Sequence, residues 1–184
     1  VHIPMFGHLP DSTSSTAASP GSRIDGLTAT IDLAPTFADM HGAPPIPDAH
    51  GSTIQPVMNG EMSPHENGVL YGYFGKDIGM TDGRYTYCRQ PAAESTTYHH
   101  TAMPRTGADF IPREKLSKAE TGRFLSNCKD IPHYRIPVKS HRHVDAPDFN
   151  PVYDLSVDPD QTEPLHDDRL ESMLEARLTK LMSD

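Results

Sequence analysis

Apolar positions along the chain fall into short clusters separated by polar, Pro-rich or Gly-rich stretches, and the spacing within each cluster predicts its element. The clearest cluster is the last. Leu170, Met173, Leu174, Leu178, Leu181 and Met182 recur at helical spacings and make one apolar stripe. Asp167 or Asp168 stands where a cap is needed, acids fill the first turns, and Arg177 and Lys180 lie near the end, as the helix dipole favours. Leu33, Phe37 and Met40 repeat behind Asp32, with Pro35 in the first turn and Gly42 as the stop, and predict a second, shorter amphipathic helix capped by Asp32. Residues 42–51 read as Pro-rich and extended, 52–58 as a helical turn, and 61–67 as polar and exposed.

Elsewhere the runs are strand-like. Residues 69–74, 78–82 and 84–89 are rich in Tyr, Val, Ile and Thr and are cut by turn residues at 75–77 and by Asp82-Gly83. An Asp-Gly pair between two such runs is a strong hairpin signal, because the turn needs positive φ, so the three runs predict an antiparallel meander. Residues 1–6 alternate weakly, as a strand would, and lead into a loop at 9–22, while 151–155 read as a further strand followed by a turn at 157–164. Residues 90–150 are expected to be irregular, with one helix candidate at 113–124. So long an irregular run rarely stands inside an independent domain, and its support is expected from a larger partner domain. The fold class that follows is α+β, a small antiparallel sheet with a carboxy-terminal helix.

Composition sharpens this picture. A chain of 184 residues is long enough for one domain, but 18 Pro, 13 Gly and no Trp against 35% hydrophobic residues leave little material for a large core. The expectation is a loop-rich body that leans on something else. The chain opens on Val1 with no basic stretch ahead of its first apolar residues, so no signal peptide is read there and the chain reads as cut. A net charge of -9 disfavours a broad grip on nucleic acid or an anionic membrane. No apolar run approaches the roughly 20 residues that span a bilayer. A soluble chain is expected, with the cytoplasm favoured and the compartment otherwise open. Cys88 and Cys128 are too few for a disulfide scaffold and are expected as free thiols.

Among the eleven histidines, His141 and His143 with Asp145 form the densest metal candidate, since a His-x-His pair on a strand puts both rings on one face. The segment is Pro-flanked, lies beside Lys139 and Arg142, and offers no further ligand at a familiar spacing, so no metal site is assigned. His99 and His100 are adjacent, so in a strand their rings diverge, one toward a cleft and the other toward solvent. No G-x-S-x-G turn and no G-x-x-x-x-G-K-[ST] loop occurs, and the acids Asp154, Asp158, Asp160 and Glu163 do not fit a calcium loop.

Three groups of residues carry a resemblance. The first is Thr30-Ile31-Asp32-Leu33-Ala34-Pro35-Thr36, then His41-Gly42, Ile46-Pro47-Asp48 and His50-Gly51-Ser52. The second is Gly72-Tyr73-Phe74-Gly75 with Thr81-Asp82-Gly83-Arg84-Tyr85-Thr86-Tyr87, and the third is Val152-Tyr153-Asp154-Leu155 with Asp158-Pro159 and Gln161. In this order they resemble the carboxy-terminal portion of bacterial members of the sulfatase family, within the alkaline-phosphatase-like superfamily. The resemblance implies that residues 1–60 supply the last strand and helix of a truncated catalytic α/β layer, Val1-His2-Ile3-Pro4 being similar to its strand, and that 61–184 form the carboxy-terminal subdomain.

It also implies a missing amino-terminal catalytic domain as partner. That domain would carry a formylglycine, made from Cys or Ser in a C/S-x-P/A-x-R motif, and a divalent metal, usually calcium, acting on a small-molecule sulfate ester. Cys88 begins Cys-Arg-Gln-Pro-Ala and Cys128 begins Cys-Lys-Asp-Ile-Pro, so neither matches, and this chain is assigned no catalytic residue, no metal ligand and no cofactor of its own. Tyr98-His99-His100-Thr101-Ala102-Met103-Pro104 is similar to a segment of bacterial sulfatase-like proteins, which makes His99, His100 and Arg105 the candidates for a substrate rim. The expectation is a fragment of a sulfuric ester hydrolase, inactive alone. The rivals are a phosphate or phosphonate monoester hydrolase on the same fold and a stand-alone interaction module that docks by an apolar sheet face.

Overall fold

The computed structural model describes residues 5–8, 21–61, 63–92, 95–107, 109–139 and 148–183. The strand expected at 1–6 and the loop at 9–22 fall largely outside these residues, and the His141 and His143 segment falls outside them altogether. Two compact units divide the chain, Val1–Val69 and Leu70–Asp184. The architecture is α+β, with antiparallel sheets and a carboxy-terminal helix. Among the described residues no helix is long and apolar enough to cross a membrane.

In the first unit a 3-10 turn at Thr30–Asp32 runs into helix α1 (Leu33–Met40), and the single turn α2 (Gln55–Met58) follows. The apolar stripe expected on α1 is not its buried side: Phe37 is 57% exposed, whereas Asp32 and Thr36, one turn apart, are buried. The cause is a polar knot. The Asp32 carboxylate accepts from the backbone N–H of Ala29 at 2.7 Å and of Ser52 at 2.9 Å, and lies 2.7 Å from Nε2 of His65. Its side chain therefore turns back toward Ala29 and does not cap α1 as the sequence predicts. Thr36 Oγ1 donates to the Asp32 carbonyl at 2.6 Å and accepts from Ile54 N–H at 3.0 Å. A Cβ on Gly51 would sit 2.2 Å from the Ile31 carbonyl oxygen, so only glycine lets the chain pass beside the knot. Ile54 and Val57 add the apolar part of this small core.

The second part of the chain carries β1 (Val69–Gly72), β2 (Ile78–Thr81), β3 (Tyr85–Arg89), β4 (Thr96–Thr101), β5 (Arg105–Thr106), β6 (Asp109–Phe110), α3 (Arg113–Leu116), β7 (Glu120–Gly122), β8 (His133–Lys139), β9 (Val152–Asp154) and α4 (Asp168–Leu181). The expected meander forms, and the strand predicted near residue 152 joins it, in the order β1-β2-β3-β9. Register aligns Met80 with Tyr87 and Tyr87 with Val152, so these three side chains form one row across the sheet. Leu174 and Leu178 of α4 close over that row, with Leu170 and Leu181 at its margin. The predicted stripe is narrower than expected, since Met173 and Met182 are 42% and 56% exposed: the contact is one leucine row wide.

The ends of this contact are fastened by polar groups. Asp167 caps α4, accepting from Arg169 N–H and Leu170 N–H at 3.0 Å each. At the hairpin, Asp82 Oδ1 accepts from the N–H groups of Arg84 and Tyr85, Gly83 takes φ +93, and Arg177 donates to Asp82 Oδ2 at 2.8 Å. Arg89 pairs with Glu175, two residues earlier on α4. Arg84 donates to Asp154 Oδ2 at 3.0 Å, and this bond, with those from Ser156, holds the Asp154 carboxyl down at about 2.

Residues 90–150 are not irregular throughout, which corrects the sequence expectation. They contain a three-stranded antiparallel sheet, β4-β8-β7, and a two-stranded one, β5-β6. The helix candidate at 113–124 reduces to the single turn α3, which has no buried residue, and its second half becomes β7. A helix over those residues would have only Leu116, Ala119 and Phe124 to bury, whereas pairing with β8 satisfies the backbone of Glu120–Gly122.

Two stability outcomes follow. Asp32→Ala leaves partly buried donors at Ala29, Ser52 and His65 without their acceptor and should cost about 2 kcal/mol of the first unit's stability, read by urea denaturation. The hydroxyl of Tyr87 is buried without a hydrogen-bond partner. Tyr87→Phe should therefore raise the urea midpoint by the equivalent of about 1 kcal/mol with an unchanged slope.

Candidate functional site

Strand geometry decides which side chains of β4, β8 and β7 meet. His100 stands opposite Arg135, Tyr98 opposite Pro137, Glu120 opposite Arg135 and Gly122 opposite His133, so Tyr98, His100, His133, Arg135 and Glu120 share one face. His99, Thr97 and Thr101 lie on the other. The expectation that the His99 and His100 rings diverge is met, but neither ring is simply in solvent. His99 is half-buried, its ring 6.0 Å from that of Phe74 in the β1–β2 loop. His100 is half-buried in a cluster, its Nδ1 3.1 Å from Nε2 of His133.

The hydrogen bonds fix the tautomers of this pair. Nδ1 of His133 lies 3.1 Å from the carbonyl oxygen of Ile131, which only accepts, so that nitrogen carries the proton and Nε2 offers its lone pair. His100 Nδ1–H then donates to it. Phe124 stands edge-on to both imidazoles, with centroids 6.1 Å from His100 and 5.5 Å from His133. The Arg135 guanidinium lies 4.2 Å from the Phe124 centroid and 4.9 Å from that of Tyr98, and it donates to Glu120 at 2.6 Å. Burial, followed by the neighbouring His133, Arg135 and His99, holds the His100 imidazole below its usual value.

Arg105, the third rim candidate, is on β5 in a different sheet, exposed, with its guanidinium 5.2 Å from the Phe110 centroid. The structure thus brings His100 to His133 and Arg135, and leaves His99 on the opposite face and Arg105 on another sheet. His133, Arg135, Glu120 and Phe124 escaped the reading of the sequence. A signal for β8 was present: Tyr134, Ile136 and Val138 alternate with polar residues. Pro137 masked it, because a proline within a run argues against a central strand. It is tolerated because β7 ends opposite Arg135, leaving that side of β8 uncovered at residue 137.

The thiols are both free, as expected. Cys88 lies on β3 with Sγ 3.8 Å from the Tyr71 hydroxyl, and burial pushes its pKa up, away from the reactive thiolate. The Tyr71 hydroxyl is raised for the same reason. Among the described residues no group of three or more His, Cys, Asp or Glu side chains converges as metal ligands would.

No protein-family model matches the chain, and no curated protein matches it significantly.

Cys88 should be alkylated by iodoacetamide at pH 7.5 at least about tenfold more slowly in the native chain than in urea, as peptide mass mapping would record.

Proposed function

We propose that this chain is the carboxy-terminal portion of a sulfatase-type hydrolase, and that the longer protein cleaves sulfate esters. The reading rests on the resembling residues, and the observation that carries it is the bond from Ser52 N–H to the Asp32 carboxylate. Asp32, Thr36, Gly51 and Ser52 all belong to the first group of resembling residues. They are also the residues that the first unit's polar knot requires, so the resemblance falls on positions with a physical job. The second and third groups behave alike: the Asp82-Gly83 turn organises β2 and β3, and Val152, Tyr153 and Asp154 pair directly with β3.

In this reading the chain contributes architecture and part of a rim, with His99, His100 and Arg105 as the rim residues. A formylglycine and a divalent metal, usually calcium, belong to the implied activity. The described residues fit neither group. Neither cysteine sits in the required motif, the Cys88 thiol is raised by burial, and no ligand cluster converges. A phosphate or phosphonate monoester remains the rival substrate, because a fold does not choose the leaving group.

The test is an assay of the full reading frame, and separately of these 184 residues, against an aryl sulfate and an aryl phosphate. Sulfate release by the longer protein and none by the 184 residues is the expected result. Phosphate release alone would transfer the proposal to the rival, and hydrolysis by the isolated 184 residues would overturn it.

A further inference from the structure

We propose that the β4-β8-β7 sheet is a proton-sensitive element, in which the His100–His133 pair accommodates one added proton and a second drives β4 away from β8. The proposal is independent of any catalytic role. It starts from the bond between His100 Nδ1 and His133 Nε2 at 3.1 Å and from the carbonyl of Ile131, which anchors Nδ1–H of His133. With both rings neutral, the remaining lone pair is on His100 Nε2, and a first proton there leaves every bond of the pair intact. A second proton has only His133 Nε2 to occupy. It would face the N–H of His100 head-on, turning the cross-strand bond into a repulsion between two cations.

The surroundings make this costly. Arg135 stands opposite His100 in the strand register and on the same face, so the cluster already carries one fixed positive charge. The carboxylate of β7 on this face, Glu120, is bonded to that guanidinium. His99 adds a further titratable group from the other face of β4, and its field disfavours the charged form of His100. The turn α3 packs on β8 and carries Arg113, Glu114 and Lys115, and the loop entering β8 carries Lys129 and Asp130; all five are exposed. Lys139 lies at the far end of β8. Phe124, edge-on to both imidazoles and beneath Arg135, offers the new charge no counter-ion.

The sign follows from the direction of the His100 shift. Its folded-state value is lowered, so the folded sheet binds fewer protons than the open one. The sheet keeps its full stability above the ordinary imidazole value of about 6.5 and loses it as the pH falls through and below that value. Each unit of lowering corresponds to about a tenfold change in the opening equilibrium.

Hydrogen–deuterium exchange of the 184-residue chain at pH 7.5 and 5.5, corrected for intrinsic exchange rates, tests this. Protection of peptides covering β4 and β8 should fall by at least about tenfold, and that of β2 and β3 by less than about twofold. The double substitution His100→Gln with His133→Gln should bring the β4 and β8 response under about twofold. Unchanged protection, an equal fall in both sheets, or a fall that persists in the double variant would each overturn the proposal. Should the double variant fail to fold, proton NMR of the unaltered chain decides: the His100 ring should titrate below the ordinary imidazole value of about 6.5, and a midpoint at or above that value would overturn the proposal.

Discussion

The burial of Tyr87 beneath α4 is the contact on which the second unit depends. The strands of its first sheet run from three to five residues, too short for ladder hydrogen bonds alone to hold them. Stability must come from covering one face. Met80, Tyr87 and Val152 from three adjacent strands meet Leu174 and Leu178, and a fully buried side chain of this kind contributes about 1.5–3 kcal/mol. The ion pairs at the margin act differently. Arg89 with Glu175 is nearly half exposed on both sides, and such pairs are worth about 0–1 kcal/mol. They set where α4 lies along β3, while the leucines keep it there. The buried Tyr87 hydroxyl, whose pKa burial raises to about 12, subtracts from that contact without improving its fit.

The first unit solves the same problem with other material. Ile54 and Val57 are its buried apolar side chains among the described residues, too little to define a packing arrangement. Definition comes from Asp32 and Thr36, whose oxygens gather backbone groups from Ala29, Ser52 and Ile54 and the ring of His65. Each such bond adds only about 1 kcal/mol when made, but a buried partner left without it costs more, so an alternative register is penalised several times over. Polar knots of this sort trade gross stability for a single arrangement. That is a reasonable bargain for a chain with 18 prolines and few large apolar residues.

The elements legible in the sequence were those whose signals are local. The leucine spacing of α4, the Asp82-Gly83 turn and the strand near Val152 each rest on a few neighbouring residues. The sheet β4-β8-β7 was not legible, because its evidence is a pairing: His100 meets His133 across 33 positions, and the adjacent histidines broke the alternation that would have marked β4. Pro137 read as a strand breaker, and only the early end of β7 explains why it is harmless. The α1 stripe failed for a related reason. The spacing of Leu33, Phe37 and Met40 is helical, but the partner available to that helix is a set of backbone donors, so its polar side turned inward. Of the rim candidates, His99 and His100 lie on opposite faces, as adjacent residues of any strand do, but the strand itself and the groups around His100 on β7 and β8 were not legible.

Those groups also limit what the histidine face can do. A guanidinium stacked between Tyr98 and Phe124 and bonded to Glu120 has its charge already matched, so an anion arriving there would compete with that carboxylate, even though the buried Nε of Arg135 has no hydrogen-bond partner among the described residues. The two imidazoles are likewise committed, His133 to Ile131 and His100 to His133, in a tautomer chain with one lone pair left over. Imidazoles whose N–H groups are both engaged hold strands together better than they bind a substrate. The cluster is therefore better suited to joining β4 to β8, and to releasing them on acidification, than to chemistry on an ester. Ester chemistry, in the reading proposed for the longer protein, is left to groups that this chain does not supply.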